Sequence, residues 1–231
     1  MPEEELPGGH CSRVYADAHR VLKVPFRGEE MDSGWRALVR LPVGLGPQIY
    51  EIEEAAGGVL MERLRPGTSL AGFDGDAEAV FASLALGLRG ASTEGMLPLS
   101  QFVTPSPLAD RLLATSPEPV FLHGDLHHYN ILRGQDGWRI IDPKGVFGDP
   151  AYEAAAFIRN PIETIGSEPD LLGSLRRRID RLAELLQLHR SRIWGWSLVG
   201  VSSTDRDVDD PWARVEVALR DLEEEYSAEL G

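Results

Sequence analysis

The segment FLHGDLHHYNIL, residues 121–132, places reactive polar side chains between two short apolar runs. It carries three histidines, together with Asp125 and Asn130. Histidine and carboxylate groups bind metals, and carboxylates also accept protons during catalysis. Three arrangements therefore fit the segment: a metal cluster, a polar turn on the surface, or a catalytic loop.

A β-hairpin is predicted directly after this segment, with a polar four-residue turn at 134–137. Pairing the strands back from the turn places Asn130 opposite Ile141. Asn130 and Asp142 then leave the hairpin at the same end, about 5–8 Å apart by cross-strand spacing. Asp125 lies in the loop that leads into that end, so the three polar side chains are expected to converge.

These three residues have the chemistry of phosphoryl transfer. Asn130 and Asp142 offer neighbouring oxygen ligands, which suit Mg²⁺ with phosphate oxygens completing its coordination. Asp125 remains available to orient a hydroxyl group and to accept its proton. The sequence therefore predicts a phosphotransfer site at the mouth of the hairpin.

A zinc site is an alternative explanation of the histidines. His123 and His127 have the four-residue spacing of a helical zinc pair, and His128 is adjacent. The glycine after His123 and the hairpin that follows argue against a helix in this segment. A purely structural polar turn is the third possibility.

Composition restricts the class of partner. The chain of 231 residues has a formal net charge of −14, from 37 acidic and 23 basic residues. Nucleic acids and anionic membranes attract basic surfaces, so neither is an expected partner. A cationic small molecule is favoured instead, although acidity that serves only solubility explains the same balance.

Localisation is predicted from the cysteine content and from the apolar runs. Cys11 is the single cysteine, so no intramolecular disulfide forms, as is typical of a reducing cytosol. The acidic start MPEEELPGG does not resemble a signal peptide, and no apolar run approaches the roughly 20 residues that span a bilayer. We expect a soluble cytoplasmic protein; its oligomeric state cannot be predicted.

The pattern of elements predicts an α+β fold with two parts. Residues 1–65 form a small sheet with one helix, whose Gly34 weakens the helix by about 1 kcal/mol. The Pro- and Gly-containing segment RPGTSLAG marks the boundary, and residues 66–231 are mainly helical. Helices are predicted over 76–89, from Pro107 with Ser106 as N-cap, over 169–188 and over 211–229.

Two motifs resemble those of a known fold. HGDLHHYN fits the H-x-D-x-x-x-x-N loop of the protein-kinase-like fold, and IIDPKG resembles its metal-binding segment, with Pro143–Lys144 replacing Phe-Gly. Together with DPKGVFGDPAYEAAAFIRNP, they resemble the aminoglycoside phosphotransferases, particularly the aminoglycoside/hydroxyurea resistance kinases that include streptomycin 6-phosphotransferases. The resemblance covers most of the chain and is strongest over 119–161.

The resemblance implies a two-lobed kinase-like fold that binds ATP and Mg²⁺. It assigns Asp125 as the catalytic base, Asn130 and Asp142 as metal ligands, and His123 as a brace of the loop. His127 would contact the γ-phosphate or form an ordinary hydrogen bond.

In the smaller lobe, the resemblance assigns the nucleotide contacts. Lys23 would bind the α- and β-phosphates, with Glu30 as its ion-pair partner and Glu29 as the alternative. Gly8 and Gly9 would let backbone N–H groups approach the phosphates. The strand expected before these glycines is nearly absent from the sequence.

Four further positions also receive roles from the resemblance. Glu62 and Leu64 would contact adenine through their backbones. Glu153 stands where the family usually has Asp, and would anchor the catalytic loop. Lys144 would contact a phosphate or the substrate, or lie on the surface.

The function implied is an ATP- and Mg²⁺-dependent transfer of phosphate to a hydroxyl of a small, aminoglycoside-like cation. The acidic segment 204–229 would contribute to binding that cation. Antibiotic resistance is one possible role. The alternatives are a metabolite kinase of the fructosamine, homoserine or choline type, a nucleotide-binding module with little catalytic activity, and a metal hydrolase built on the histidines.

Overall fold

The first part of the chain forms a five-stranded antiparallel sheet. The computed structural model describes residues 4–6, 12–26, 29–202 and 210–230, with the backbone alone at 29–32. The strands are β1 (Glu4–Leu6), β2 (Ser12–Ala16), β3 (Arg20–Pro25), β4 (Ile49–Glu53) and β5 (Gly58–Glu62). Their order across the sheet is β1-β2-β3-β5-β4.

One helix, α1 (Glu29–Arg40), covers a face of this sheet. Leu38 of α1 packs with Val59 and Met61 of β5 in a small apolar cluster of its own. The helix forms where the three- and four-residue spacing of apolar residues predicts it. The strand expected before the glycine-containing segment is present as β1, which has only three residues and pairs with β2.

The second part is mainly helical, as expected. Its helices are α2 (Ala77–Leu88), α3 (Leu99–Phe102), α4 (Pro107–Ala114), α5 (Glu153–Ile158), α6 (Ile162–Ile165), α7 (Leu171–Leu186), α8 (Arg190–Val201), α9 (Pro211–Arg220) and α10 (Glu223–Tyr226). Ser106 caps α4 by accepting a hydrogen bond from Ala109 N at 3.1 Å, as predicted. The prediction of a single helix over 211–229 is wrong, because the helix is interrupted between α9 and α10.

Two short β-structures hold the segment of interest. Strands β6 (Leu97–Pro98), β7 (Val120–Leu122) and β10 (Val146–Gly148) form a sheet in the order β6-β10-β7. Strands β8 (Ile131–Gly134) and β9 (Gly137–Ile140) form the predicted hairpin, in which Ile131 pairs with Ile140. The register is as predicted, but the strands continue one pair further and leave a two-residue loop at 135–136.

The main core lies among the helices. Helix α7 contributes the apolar stripe that the sequence predicts, with Leu175, Ile179 and Leu182 fully buried. Helix α8 lies at the centre and buries both Trp194 and Trp196. Within the described residues, no helix is long and apolar enough to cross a membrane.

A backbone hydrogen bond joins the two parts of the chain. Ile140 N of the hairpin donates to Leu45 O, in the loop after α1, at 2.7 Å. The segment after β5 that connects the two parts also contacts the hairpin, because Arg133 N donates to Thr68 O at 2.8 Å. The lobe boundary predicted between residues 65 and 66 falls in this connection and stays a prediction.

A buried carboxylate joins the turn after β10 to the helical core. Asp149 is 1% exposed and accepts hydrogen bonds from Arg192 Nε at 2.8 Å and Trp196 Nε1 at 2.7 Å. It also accepts from Ala151 N at 2.9 Å, and Arg192 extends the network to Leu112 O at 2.7 Å. A charge buried in this way is stable only with its partners in place.

We expect Asp149→Ala to lower the free energy of unfolding by roughly 3–5 kcal/mol, because the mostly buried guanidinium of Arg192 loses its counter-charge and the buried indole N–H of Trp196 loses its acceptor. The matched control is Asp170→Ala. Asp170 also caps a helix and pairs with an arginine, but it is exposed, so its loss should cost much less than the loss of Asp149. Urea denaturation of both variants tests this; equal losses would contradict the role of burial.

Candidate active site

A cleft of about 560 Å³ lies between the five-stranded sheet and the β8–β9 hairpin. Its wall is apolar in one part and polar in another. The apolar side chains include Val21, Met61, Leu64, Leu132 and Ile141, and the polar ones include Lys23, Tyr129, Asn130 and Asp142. The cleft therefore offers an apolar surface beside a charged end.

An ion pair crosses the charged end. Lys23 Nζ of β3 donates to Asp142 Oδ1, so a sheet residue is bonded directly to the residue that follows the hairpin. Burial alone would raise the pKa of Asp142, but Lys23 outweighs it and holds that pKa below its usual value. Asp142 also has φ of 63°, a left-handed conformation that is costly for a residue with a side chain.

His123 braces the loop from inside. It is fully buried, and its Nε2 donates to Ile141 O at 2.7 Å, while Asp125 N donates to its Nδ1 at 3.2 Å. These partners fit the neutral ring. Burial lowers the pKa of His123 to about 4, so the ring stays uncharged at neutral pH. These contacts link the loop to the end of the hairpin, and the bracing role that the resemblance implies stays a prediction.

The side chain of Glu153, the first residue of α5, binds the backbone of the same loop. Its carboxylate accepts from His123 N at 2.6 Å and from Gly124 N at 3.2 Å. Burial raises the pKa of Glu153 to about 7, although the backbone donors oppose the shift. The longer Glu side chain therefore makes the loop contact expected of this position.

Asp125 and His127 face each other across the loop. His127 Nδ1 accepts from Tyr129 N at 3.2 Å, and its Nε2 lies 3.8 Å from Asp125 Oδ2. Burial raises the pKa of Asp125 and lowers that of His127, since it favours the neutral form of each. A carboxylate whose pKa is raised toward neutrality is a better proton acceptor than an ordinary aspartate.

Asn130 is oriented by the same loop. Its Nδ2 donates to the backbone carbonyl of Asp125 at 2.9 Å. The amide oxygen thus remains available as an acceptor on the cleft side that Asp142 also lines. Asn130 O accepts from Ile141 N at 3.0 Å, which is the pairing that the hairpin register predicts.

The three histidines have separate environments, which contradicts the zinc alternative. His123 is bonded within the loop, His127 faces Asp125, and His128 stacks on Phe157 at 4.0 Å between ring centroids. Among the described residues, no group of three or more histidine, cysteine or acidic side chains is arranged to hold a metal.

The other predicted positions are only partly described. Glu62 and Leu64 both line the cleft, and Glu62 N donates to Gln48 O at 2.8 Å. Gly8 and Gly9 lie outside the described residues, as do the side chains of Glu29 and Glu30. Their assigned contacts stay predictions.

Two cations near Asp125 complete the site. Lys144, which the sequence left open, and Arg159, which it missed, both lower the pKa of Asp125 by their charge. Arg159 follows α5 and lies so close to α8 that a Cβ on Gly200 would come within 2.5 Å of its Nη1. The segment FIRNP contained this arginine, but nothing local indicates that it turns toward the loop.

Three carboxylates of the acidic segment form ion pairs with arginines, and the expected contribution of this segment to binding a cation stays a prediction. Glu225 pairs with Arg176 at 3.0 Å and also with Arg190, Glu229 pairs with Arg190, and Glu216 pairs with Arg220. These carboxylates are engaged with helix arginines, and none of them lines the cleft. Residues 203–209 lie outside the described part of the chain.

A five-stranded sheet with one helix, a helical part, and polar residues on the loop and hairpin between them define a kinase-like phosphotransferase fold. A solved aminoglycoside phosphotransferase, a thermostable mutant in complex with ADP and hygromycin B, superposes with a TM-score of 0.57 at 16% identity, covering 94% of this chain and 92% of that one. Residues 77–210 match the family described as aminoglycoside/hydroxyurea antibiotic resistance kinase. The chain belongs to this family.

Two curated relatives support the assignment. Streptomycin 6-kinase of Streptomyces griseus is 35% identical over 100 residues, which are 42% of this chain and 33% of that protein. Streptomycin 3''-kinase of Klebsiella pneumoniae is 29% identical over 225 residues, covering 85% of this chain and 84% of that protein. The match thus spans about a third of the length of the streptomycin 6-kinase.

A pH prediction follows from His128. This ring is 3% exposed, its Nδ1 has no hydrogen-bond partner, and burial lowers its pKa to about 3. The unfolded chain takes up this proton near pH 6.5 and the folded protein does not, so stability from His128 is lost as pH falls from 6.5 toward 3.

We therefore expect His128→Phe to keep its stability better in acid. Relative to wild type, its free energy of unfolding should gain about 1.4 kcal/mol for each pH unit below 6.5, down to about pH 4. Above pH 7 the two should differ little, since Phe preserves the stack on Phe157. Parallel stability curves for the two proteins between pH 7 and 4 would contradict the assignment.

Proposed function

We propose that this protein transfers the γ-phosphoryl group of ATP, with Mg²⁺, to a hydroxyl of a small hydroxylated cation of the aminoglycoside kind. The observation that carries the proposal is the convergence at one cleft. Lys23 from the sheet and Asn130 and Asp142 from the hairpin ends line this cleft, and the loop of Asp125 adjoins it through the hydrogen bond from Asn130 Nδ2 to Asp125 O.

The two ends of the cleft suit the two parts of a nucleotide, its base and its phosphates. The apolar side chains of the cleft provide contact surface for a purine ring, and Glu62 and Leu64 also line this cleft. Lys23 lies at the opposite end and supplies a positive charge for phosphates. The structural relative with bound ADP has the same fold, which supports a nucleotide in this position.

Asn130 and Asp142 fit a magnesium ion. Both present oxygen atoms to the same cleft, and the lowered pKa of Asp142 keeps its carboxylate charged. Hard oxygen ligands of this kind are the ones that Mg²⁺ prefers, with few from protein and the rest from phosphate and water. When bound, the ion would neutralise phosphate charge beside these two residues.

Asp125 is the proton acceptor in this proposal. The acceptor hydroxyl gives its proton to the Asp125 carboxylate, its oxygen forms the bond to the γ-phosphorus, and ADP leaves. His123 and Glu153 hold the loop in position through its backbone. Lys144 and Arg159 surround Asp125 with positive charge that favours an incoming phosphoryl group.

A cationic acceptor is favoured by the net charge of −14 and by the streptomycin kinases among the relatives. Glu216, Glu225 and Glu229 do not supply local support, because ion pairs with arginines occupy them. Long-range attraction by the whole protein remains, and it weakens over a Debye length of roughly 8–10 Å.

The direct test is turnover of ATP with Mg²⁺ against a panel of acceptors, with the phosphorylated product identified by mass. The panel holds streptomycin, other aminoglycosides, hydroxyurea, and amino alcohols such as choline. Phosphorylation of an amino sugar supports the proposal. Selective phosphorylation of an amino alcohol assigns a metabolite kinase, and ATP binding with no product from any acceptor contradicts the proposal.

For catalysis, we expect Asp125→Asn to reduce kcat by roughly 10²–10⁴-fold, because the amide cannot accept the hydroxyl proton. ATP affinity should stay within about twofold, since Asp125 contributes its backbone, not its side chain, to the contact with Asn130. Steady-state kinetics and calorimetry on the same preparation separate the two effects. Nearly full activity in this variant would remove Asp125 from the mechanism.

A further inference from the structure

Helix α1 touches the segment that contains Asp142 without any large side chain between them. Ser33, which is 3% exposed, donates from Oγ to the backbone carbonyl of Lys144 at 2.7 Å. The contact therefore joins the backbone of the metal-binding segment directly to the helix of the smaller lobe.

Two glycines make this approach possible. A Cβ on Gly34 would lie 3.0 Å from Pro143 O, and a Cβ on Gly145 would lie 2.5 Å from Ser33 O. Gly145 also has φ of 71°, which a residue with a side chain rarely adopts. Both sides of the contact thus depend on missing side chains, and Gly34 is present where helix propensity disfavours it.

The segment has little freedom to move away from α1. Lys144 N donates to His123 O at 2.7 Å, and Leu97 N donates to Gly145 O at 2.9 Å. Asp142, at the start of the segment, already has a left-handed backbone and is bonded to Lys23. A displacement at Pro143 therefore passes to Asp142 instead of being absorbed nearby.

We propose that Ser33 and Gly34 are positioning residues for the Asp142 carboxylate: they set its distance from the nucleotide phosphates by fixing the backbone of residues 143–145 against α1. The inference rests on the proposed function, because it concerns how the same cleft binds Mg²⁺ with a nucleotide. It gives a role to Gly34, which by itself destabilises helix α1.

The variants are Gly34→Ala and Ser33→Ala. The first adds a methyl group that must push Pro143 O away by a few tenths of an ångström. The second only removes the hydroxyl that binds Lys144 O, and it cannot overpack the site. The control is Gly87→Ala in α2, an exposed helix glycine whose new methyl meets only the flexible end of Leu45.

The measurement is calorimetric ATP affinity over a series of Mg²⁺ concentrations, with thermal unfolding of the unliganded proteins. Mg²⁺ is expected to tighten ATP binding, and the concentration that gives half of this change is the quantity compared. We expect it to be roughly tenfold higher in Gly34→Ala and Ser33→Ala than in the wild type, because loss of a group that orients a metal ligand usually weakens metal affinity by about that factor. ATP affinity without Mg²⁺ should be unchanged. Gly87→Ala should match the wild type in both.

The outcomes separate the two levels of the account. Wild-type protein that binds no ATP contradicts the proposed function itself. If the wild type binds ATP with Mg²⁺ and both variants show the same Mg²⁺ dependence, the positioning role is wrong while the function stands. If Gly34→Ala fails to fold, the Ser33→Ala result alone decides, and an unchanged Mg²⁺ dependence in that variant overturns the inference.

Discussion

The contact between Lys23 and Asp142 connects the two parts of the molecule at the place where chemistry is expected. Asp142 combines a partly buried carboxylate with a left-handed backbone, and both features cost free energy. The cation from β3 offsets the burial and keeps the carboxylate ionised. The sheet must therefore lie directly over the end of the hairpin, and the cleft has its charged end there.

The loop before the hairpin is held by two buried polar side chains, His123 and Glu153, and both are paired. His123 uses both ring nitrogens, one with Asp125 N in the loop and one with Ile141 O after the hairpin, and Glu153 accepts two of the loop's backbone N–H groups. Low polarity around these groups strengthens their hydrogen bonds and makes an unpaired member costly. The same burial favours the neutral forms, so Asp125 gains basicity while the histidines around it stay uncharged.

Local patterns predicted the parts of the site that are close in sequence. The register of the hairpin followed from its turn, which placed Asn130 and Asp142 at one end before any tertiary contact was known. Helix α8 was missed, because it is apolar on nearly all sides and lacks the 3.6-residue alternation of a surface helix. The end of helix α9 was also not predicted, because the acidic sequence continues without a change in composition from α9 into α10.

Contacts between distant residues could not be predicted from spacing. The Lys23–Asp142 pair joins residues 119 positions apart, and the Ser33–Lys144 contact joins residues 111 apart. From the sequence alone, Gly34 was only a weak point in a helix. Its closeness to Pro143 O is a property of how the helix packs, as is the pairing of the acidic helices with Arg176 and Arg190.

The most direct test of the central claim is the Mg²⁺ dependence of ATP binding in Asp142→Asn, which keeps the shape of the side chain and removes its charge. With Mg²⁺, we expect ATP affinity to fall at least about tenfold below wild type, because a charged ligand of the ion is lost. Without Mg²⁺, affinity should be unchanged or higher, because a negative charge near the phosphates is gone. Affinity that tightens with Mg²⁺ as in the wild type would contradict the account.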